Sequence, residues 1–167
     1  GQDAIREGKL PVEDDRERQR LENVRKIEAM DARPKDPVAA AFFDHLVKGG
    51  SFPNILQARK MAREAGGTED TKAVEEAMEL AVVSAAKVEI FGRDPEESFD
   101  KLVDLYKRQP NLNTRTSTSM RDQAYSTPIP LAYLAQRLAG ITETSHVLEP
   151  TAGNGALVFT ADPNLVI

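Results

Sequence analysis

Residues 146–158 read His146-Val147-Leu148-Glu149-Pro150-Thr151-Ala152-Gly153-Asn154-Gly155-Ala156-Leu157-Val158. A short apolar run, an acid, a glycine-bearing turn and a second apolar run predict a strand, a tight loop and the start of a helix. Glycines after a strand let backbone N–H groups approach a ligand closely, and a following helix N-terminus favours negative charge. An acid at the C-terminal tip of a first strand faces the crevice in which open α/β sheets bind nucleotides. The chemistry expected of this stretch is therefore that of a cradle for a cofactor. Gly-x-Gly alone is most often only a turn, so the residues upstream decide how specific the pattern is.

Those residues are Tyr125-Ser126-Thr127-Pro128, followed by a helix-like stretch from Ile129 to Ala139 that Gly140 ends. With this segment the chain resembles the adenine-N6 DNA methyltransferases that use S-adenosylmethionine. They carry a Thr-Pro motif before the first helix and a (Asp/Glu)-Pro-x-(Ala/Cys)-Gly-x-Gly loop after the first strand. The resemblance covers residues 125–158, and two motifs in the right order are more specific than either alone. It implies that Tyr125 and Thr127 lie beside the cofactor, with Thr127 on its carboxylate end. It further implies that Glu149 meets the cofactor's ammonium in a charge-assisted contact. Thr151, Ala152, Gly153, Asn154 and Gly155 would wrap the methionine portion. More loosely, residues 106–155 are similar to methylase regions of large multidomain plasmid and phage proteins, some joined to a strawberry-notch-like helicase. That context implies a role on mobile elements or in restriction-modification.

The chain departs from the family in one respect that bears on catalysis. Adenine-N6 methylases carry (Asn/Asp/Ser)-Pro-Pro-(Tyr/Phe/Trp), which holds the flipped adenine. No Pro-Pro pair occurs in the sequence. The family's second-strand acid, which holds the ribose hydroxyls, is expected just beyond Asn164-Leu165-Val166-Ile167. Methyl transfer needs the nucleophile in line with the sulfonium methyl, and these residues supply only the cofactor side of that geometry. A start at Gly1 and an apolar run still open at Ile167 suggest part of a longer methyltransferase, inactive alone. No catalytic residue is assigned. His45 and His146 are the only histidines, neither in a nucleophile-like context, and the acids sit on expected solvated helix faces. Gly155 is followed by Ala156-Leu157 and not by Lys and Ser or Thr, so the P-loop signature is absent.

Composition bounds the remaining classes. With 167 residues, 40% hydrophobic and 29% charged, the chain suits one or two small soluble domains with an aliphatic core. It has no cysteine, which excludes disulfides and thiolate metal sites, and His45 has no partners for a metal site. No apolar run approaches the roughly 20 residues that cross a bilayer. A cytoplasmic protein without membrane contact is expected. The net charge of −5 argues against a surface that is one nucleic-acid footprint. Residues 69–104 hold 11 acids against 4 bases, a balance of −7, whereas residues 105–121 hold no acid. Lys107, Arg108, Arg115 and Arg121 make that second stretch the part able to meet DNA. The polar loop that holds Arg115 and Arg121 reads either as a solvated linker between helical and catalytic parts or as a segment that folds over the cofactor or donates these two arginines to phosphates.

The elements positioning these residues follow from caps and periodicity. Residues 1–12 lack a period and form an expected loose tail. Residues 13–31 predict a charged helix with a narrow stripe of Leu21, Val24, Ile27 and Met30. Pro37 suits the first turn of a helix through Val38, Ala41, Phe42, Leu46 and Val47, and Ser51 is the expected cap of a second over 52–65. Residues 70–91 predict the longest helix, with Val74, Met78, Ala81, Val82, Ala85 and Val88 in register. Asp94-Pro95-Glu96-Glu97 starts another, with Phe99, Leu102, Val103 and Tyr106 on one face.

The expected fold is mainly α: a helical domain over 13–109, a polar linker over 110–124, and over 125–167 the first strand or strands of a truncated α/β Rossmann-like methyltransferase sheet. Val147-Leu148 and Leu165-Val166-Ile167 would need neighbours, from the remainder of that domain or from a second copy. The alternative function is a helical module over 13–109 that docks a protein or orients DNA without its own activity.

Overall fold

Among the described residues, side chains of Asp and Asn start the first four helices. A computed structural model describes residues 31–110, 127–142, 144–151 and 153–167. In it Asp36 Oδ1 accepts from the Ala39 N–H at 2.8 Å and opens α1, Pro37–Val47. Asn54 Oδ1 accepts from the Gln57 N–H and opens α2, Ile55–Glu64. Asp70 opens α3, Thr71–Ile90, and Asp94 opens α4, Pro95–Arg108, each through the N–H three residues on. Each carboxylate or amide satisfies a donor that the first helical turn leaves without a partner. A fifth helix, α5, spans Ile129–Leu138.

One cap differs from the expectation. Ser51 does not open α2, because residue 52 is already committed elsewhere. Phe52 is buried with its ring edge-on to Phe42 at 5.4 Å, and its N–H donates to the Arg108 carbonyl. The chain is thus pinned at Phe52, and the helix begins after Pro53. His45 tilts against the Phe52 ring at 4.7 Å, with its Nε2 3.1 Å from the Ser51 carbonyl oxygen, so it serves the hairpin.

Helix α3 is central. All six residues of its expected stripe are buried, and Val83, Ser84 and Ala86 are buried as well, so its second half is enclosed on most sides. An all-round apolar helix of this kind belongs inside a bundle. It packs along α1, which contributes Phe42, Phe43 and Leu46, and along α4, which contributes Leu102 and Leu105. On α4, Phe99, Val103 and Tyr106 are half-buried, so the face turned inward is rotated from the expected one toward Ser98, Leu102 and Leu105. The core continues without a break into the later segment through Ile129, Tyr133 and Phe159.

After α5 the chain runs extended. Val147 and Val166 form an isolated parallel bridge, flanked by Val147 N–H to Leu165 O at 3.0 Å, Ile167 N–H to Val147 O at 2.8 Å and Glu149 N–H to Ile167 O at 2.9 Å. The two stretches expected to need neighbours are therefore neighbours of each other. Among the described residues no longer strand occurs, so what is established is a mainly helical chain. The expected helix after Gly155 is only a single 3-10 turn, Ala156–Val158, followed by a second, Pro163–Leu165. No described helix is long and apolar enough to cross a membrane. The expected tail over 1–12 lies outside the described residues, as do the helix over 13–31 except Asp31 and the linker except Pro110.

Candidate functional site

Glu149 ends the bridged segment, and the turn that follows folds onto it. Its Oε1 accepts the Thr151 N–H at 2.9 Å and the Thr151 hydroxyl at 2.7 Å. These two donors, the hydroxyl first, hold the carboxyl of the partly exposed Glu149 below the ordinary carboxylate value. It is thus an ionised, accessible anion at the end of an extended segment.

The glycines of the turn are required by its backbone. Gly153 has φ of 50° and Gly155 has φ of 79°, both in the left-handed region that disfavours a Cβ. Around Gly153 there is open space, the nearest atom to an added Cβ being the Thr151 carbonyl oxygen at 3.9 Å. Thr151 and Gly153 are exposed. The turn is therefore an open surface of backbone groups beside an anion, not a loop closed against protein.

Three anchors hold this turn and its exit. Val158 N–H donates to the Gly155 carbonyl as the 3-10 turn begins. Gln136 of α5, fully buried, donates to the carbonyls of Ala132 and Ala156, both at 3.0 Å, and its Oε1 accepts from the N–H and hydroxyl of Thr160. Asn154 Nδ2 donates to Glu79 Oε2 of α3 at 3.1 Å. Asn154 also borders a cleft of about 370 Å³ between the start of α1 and α3, with Asp36, Val38, Thr68 and Ala77 on its other walls.

The structure thus gathers Glu149, Thr151, Gly153, Asn154 and Gly155 into one turn. Thr127 is exposed just before Pro128, at the N-terminal end of α5, and no hydrogen bond among the described residues joins it to Glu149. The turn meets α5 instead at Gln136, toward the helix's other end. Tyr125, Ala152, Arg115 and Arg121 lie outside the described residues. Arg108, counted among the cations able to meet DNA, has a structural task. It donates to the carbonyl of Leu46 in the last turn of α1 and to that of Gly50 just past its end, and pairs with Glu89 and Asp104. Among the described residues no group of three His, Cys, Asp or Glu side chains could hold a metal ion.

Sequence reasoning did not single out Gln136 or Glu79. Gln136 carried a readable signal, since it is a polar residue in register with Ala132 and Tyr133 on the inner face of α5. Glu79 carried none, being one acid among several on α3. No protein-family model, curated protein or solved structure matches the chain.

Proposed function

We propose that this chain carries the S-adenosylmethionine-binding loop of a DNA adenine-N6 methyltransferase and forms the N-terminal part of that enzyme. The observation that carries the reading is the placement of Glu149. An ionised, partly exposed carboxylate stands at the end of a segment bridged in parallel, immediately before a turn with two left-handed glycines. An ammonium group is the natural partner of that carboxylate, and the exposed backbone at Gly153 leaves room for a ligand to lie against it. When bound, the cofactor supplies the electrophilic methyl group. The chain's own residues bind and orient it: Glu149 takes the ammonium, and residues 151–155 follow the methionine portion.

The polar and aromatic residues that hold the adenine must come from outside this sequence, since it has no Pro-Pro pair. The chain alone is accordingly inactive toward DNA. Arg115 and Arg121 are assigned to DNA phosphates, and the protein is assigned to the cytoplasm. The outward edges at Leu148 and Val166 suit strands from the remainder of the methyltransferase domain, or a second copy.

Calorimetric titration of the chain with S-adenosylmethionine tests the reading. Saturable binding is expected, weakened about tenfold or more in Glu149→Ala, as suits loss of a hydrogen bond to a charged group. No saturable binding, or equal affinity in the variant, overturns it.

A helical module that docks a partner is the second reading. Leu131, Leu134 and Leu138, exposed along one side of α5 and so beyond the expected module boundary at 109, favour a docking surface that takes in α5 as well. Binding of a partner protein by a chain that ignores the cofactor would select it.

A further inference from the structure

The described turn residues, 150, 151 and 153–155, belong to no helix or strand, yet they reach the most enclosed helix of the bundle. Among the described residues, a single side-chain hydrogen bond joins that turn to the helices, from Asn154 Nδ2 to Glu79 Oε2 at 3.1 Å. The partners are 75 residues apart in sequence. Both are half-buried, so water competes less for this contact than for one on an open face. A carboxylate only accepts, so the amide must present its nitrogen, and this fixes the side-chain orientation of the residue between the two glycines. The backbone that carries Glu79 is held in place, because Met78, Ala81 and Val82 beside it on α3 are buried in the core.

We propose that Glu79 is a positioning residue for the glycine turn. Through Asn154 it holds residues 153–155 in the conformation that receives the ligand, so the N-terminal helices set the readiness of the loop. This rests on the cofactor reading above but adds a residue from outside the motif-bearing segment. Glu79 touches neither ligand nor reacting atoms; it acts by removing conformations of Asn154 that would turn the backbone away.

The chemistry predicts how variants behave. Glu79→Gln keeps an oxygen that can accept from the Asn154 amide, whereas Glu79→Ala removes it. Asn154→Ala removes the donor from the turn side and leaves α3 untouched, which guards against a failure of Glu79→Ala to fold.

The test uses the 167-residue chain, hydrogen–deuterium exchange of peptides covering residues 150–158, and titration with S-adenosylmethionine. In Glu79→Ala and Asn154→Ala, exchange in 150–158 is expected to rise while exchange in α1, α3 and α4 stays as in the wild type. Cofactor affinity is expected to fall about fivefold in both, less than for loss of a direct contact, because only the cost of ordering the turn on binding changes. Glu79→Gln is expected to restore both readouts most of the way, which a general loss of stability would not reproduce. Unchanged exchange in 150–158 in both alanine variants overturns the proposal. So does raised exchange with unchanged affinity. If the wild type itself fails to bind S-adenosylmethionine, the cofactor reading falls, while the exchange arm still decides whether Glu79 holds the turn.

Discussion

The Oε1 atom of Gln136 accepts from both the N–H and the hydroxyl of Thr160, at 2.9 and 2.8 Å. The same amide's nitrogen reaches the carbonyl of Ala156, so one buried side chain closes the 3-10 turn onto α5 from both ends. A fully satisfied buried amide specifies a single arrangement, because any slip of the turn leaves polar groups without partners.

Gln136→Leu keeps the volume and removes all four hydrogen bonds. The expected loss is about 2 kcal/mol, since the Thr160 N–H and the Ala156 carbonyl lose their partner in a half-buried place. Urea unfolding followed by far-UV circular dichroism checks this, with a lowered midpoint and an unchanged slope. A midpoint equal to that of the wild type would show that water replaces the amide without cost.

Arg108 makes a second polar knot, where the ends of α1, α3 and α4 meet. Its guanidinium reaches the carbonyls of Leu46 and Gly50 and pairs with Glu89 at 3.3 Å, with both charged side chains mostly enclosed. Arg108→Ala leaves Glu89 without its partner and the end of α1 uncapped, and the expected cost is about 2 kcal/mol. Arg108→Lys should recover only part of this, because an ammonium cannot match the forked donor geometry. Thermal unfolding of the two variants beside Glu89→Gln checks the ranking. Equal melting of Arg108→Lys and the wild type would mean that charge alone suffices.

These knots mark the limit of what could be read from the chain. The helix starts were legible where an acid precedes proline, as at Asp94-Pro95, since two local preferences coincide there. The start of α2 was not, because Phe52 is drawn into the core by Phe42 and the carbonyl of Arg108, neither of which is local. The length and inner stripe of α3 followed from spacing alone. The inner face of α4 did not, since Leu102 belongs to either of two adjoining stripes and the packing partner decides between them. In the candidate site, Glu149 and the glycines stood out by type and order. Glu79 and Gln136 did not, because what they do depends on contacts made 75 and 24 residues away.

Glu75 introduces a pH dependence. Burial raises its carboxyl above the ordinary value, and the charges of Glu79 and Asp70 add to this, while Arg59 opposes it. Because the folded value lies above the unfolded one, the native state binds more protons between the two, and stability falls as pH rises through that window. Above it the penalty is fully present. Glu75→Gln, which carries no charge at any pH, is therefore expected to melt higher than the wild type at pH 7, with the difference shrinking as pH falls toward 4. A difference that does not change with pH would show that burial of Glu75 carries no electrostatic cost.

The carboxylate of the candidate site titrates in the opposite sense. Glu149 is held below its ordinary value first by the Thr151 hydroxyl and then by the Thr151 N–H. The stability contributed by that contact is present above the ordinary carboxylate value and is lost as pH falls through the depressed one. Thr151→Val removes the larger cause and leaves the N–H in place, so the Glu149 carboxyl should move up toward the ordinary range, whereas Thr151→Ser should leave it low. Carbon-detected magnetic resonance of the Glu149 side chain follows this directly. Under the cofactor reading, affinity for S-adenosylmethionine in Thr151→Val should begin to fall at a higher pH than in the wild type, because the ammonium is met only by the ionised carboxylate. An unshifted Glu149 midpoint in Thr151→Val would mean that the hydroxyl does not hold the anion, and that the turn is arranged by its glycines alone.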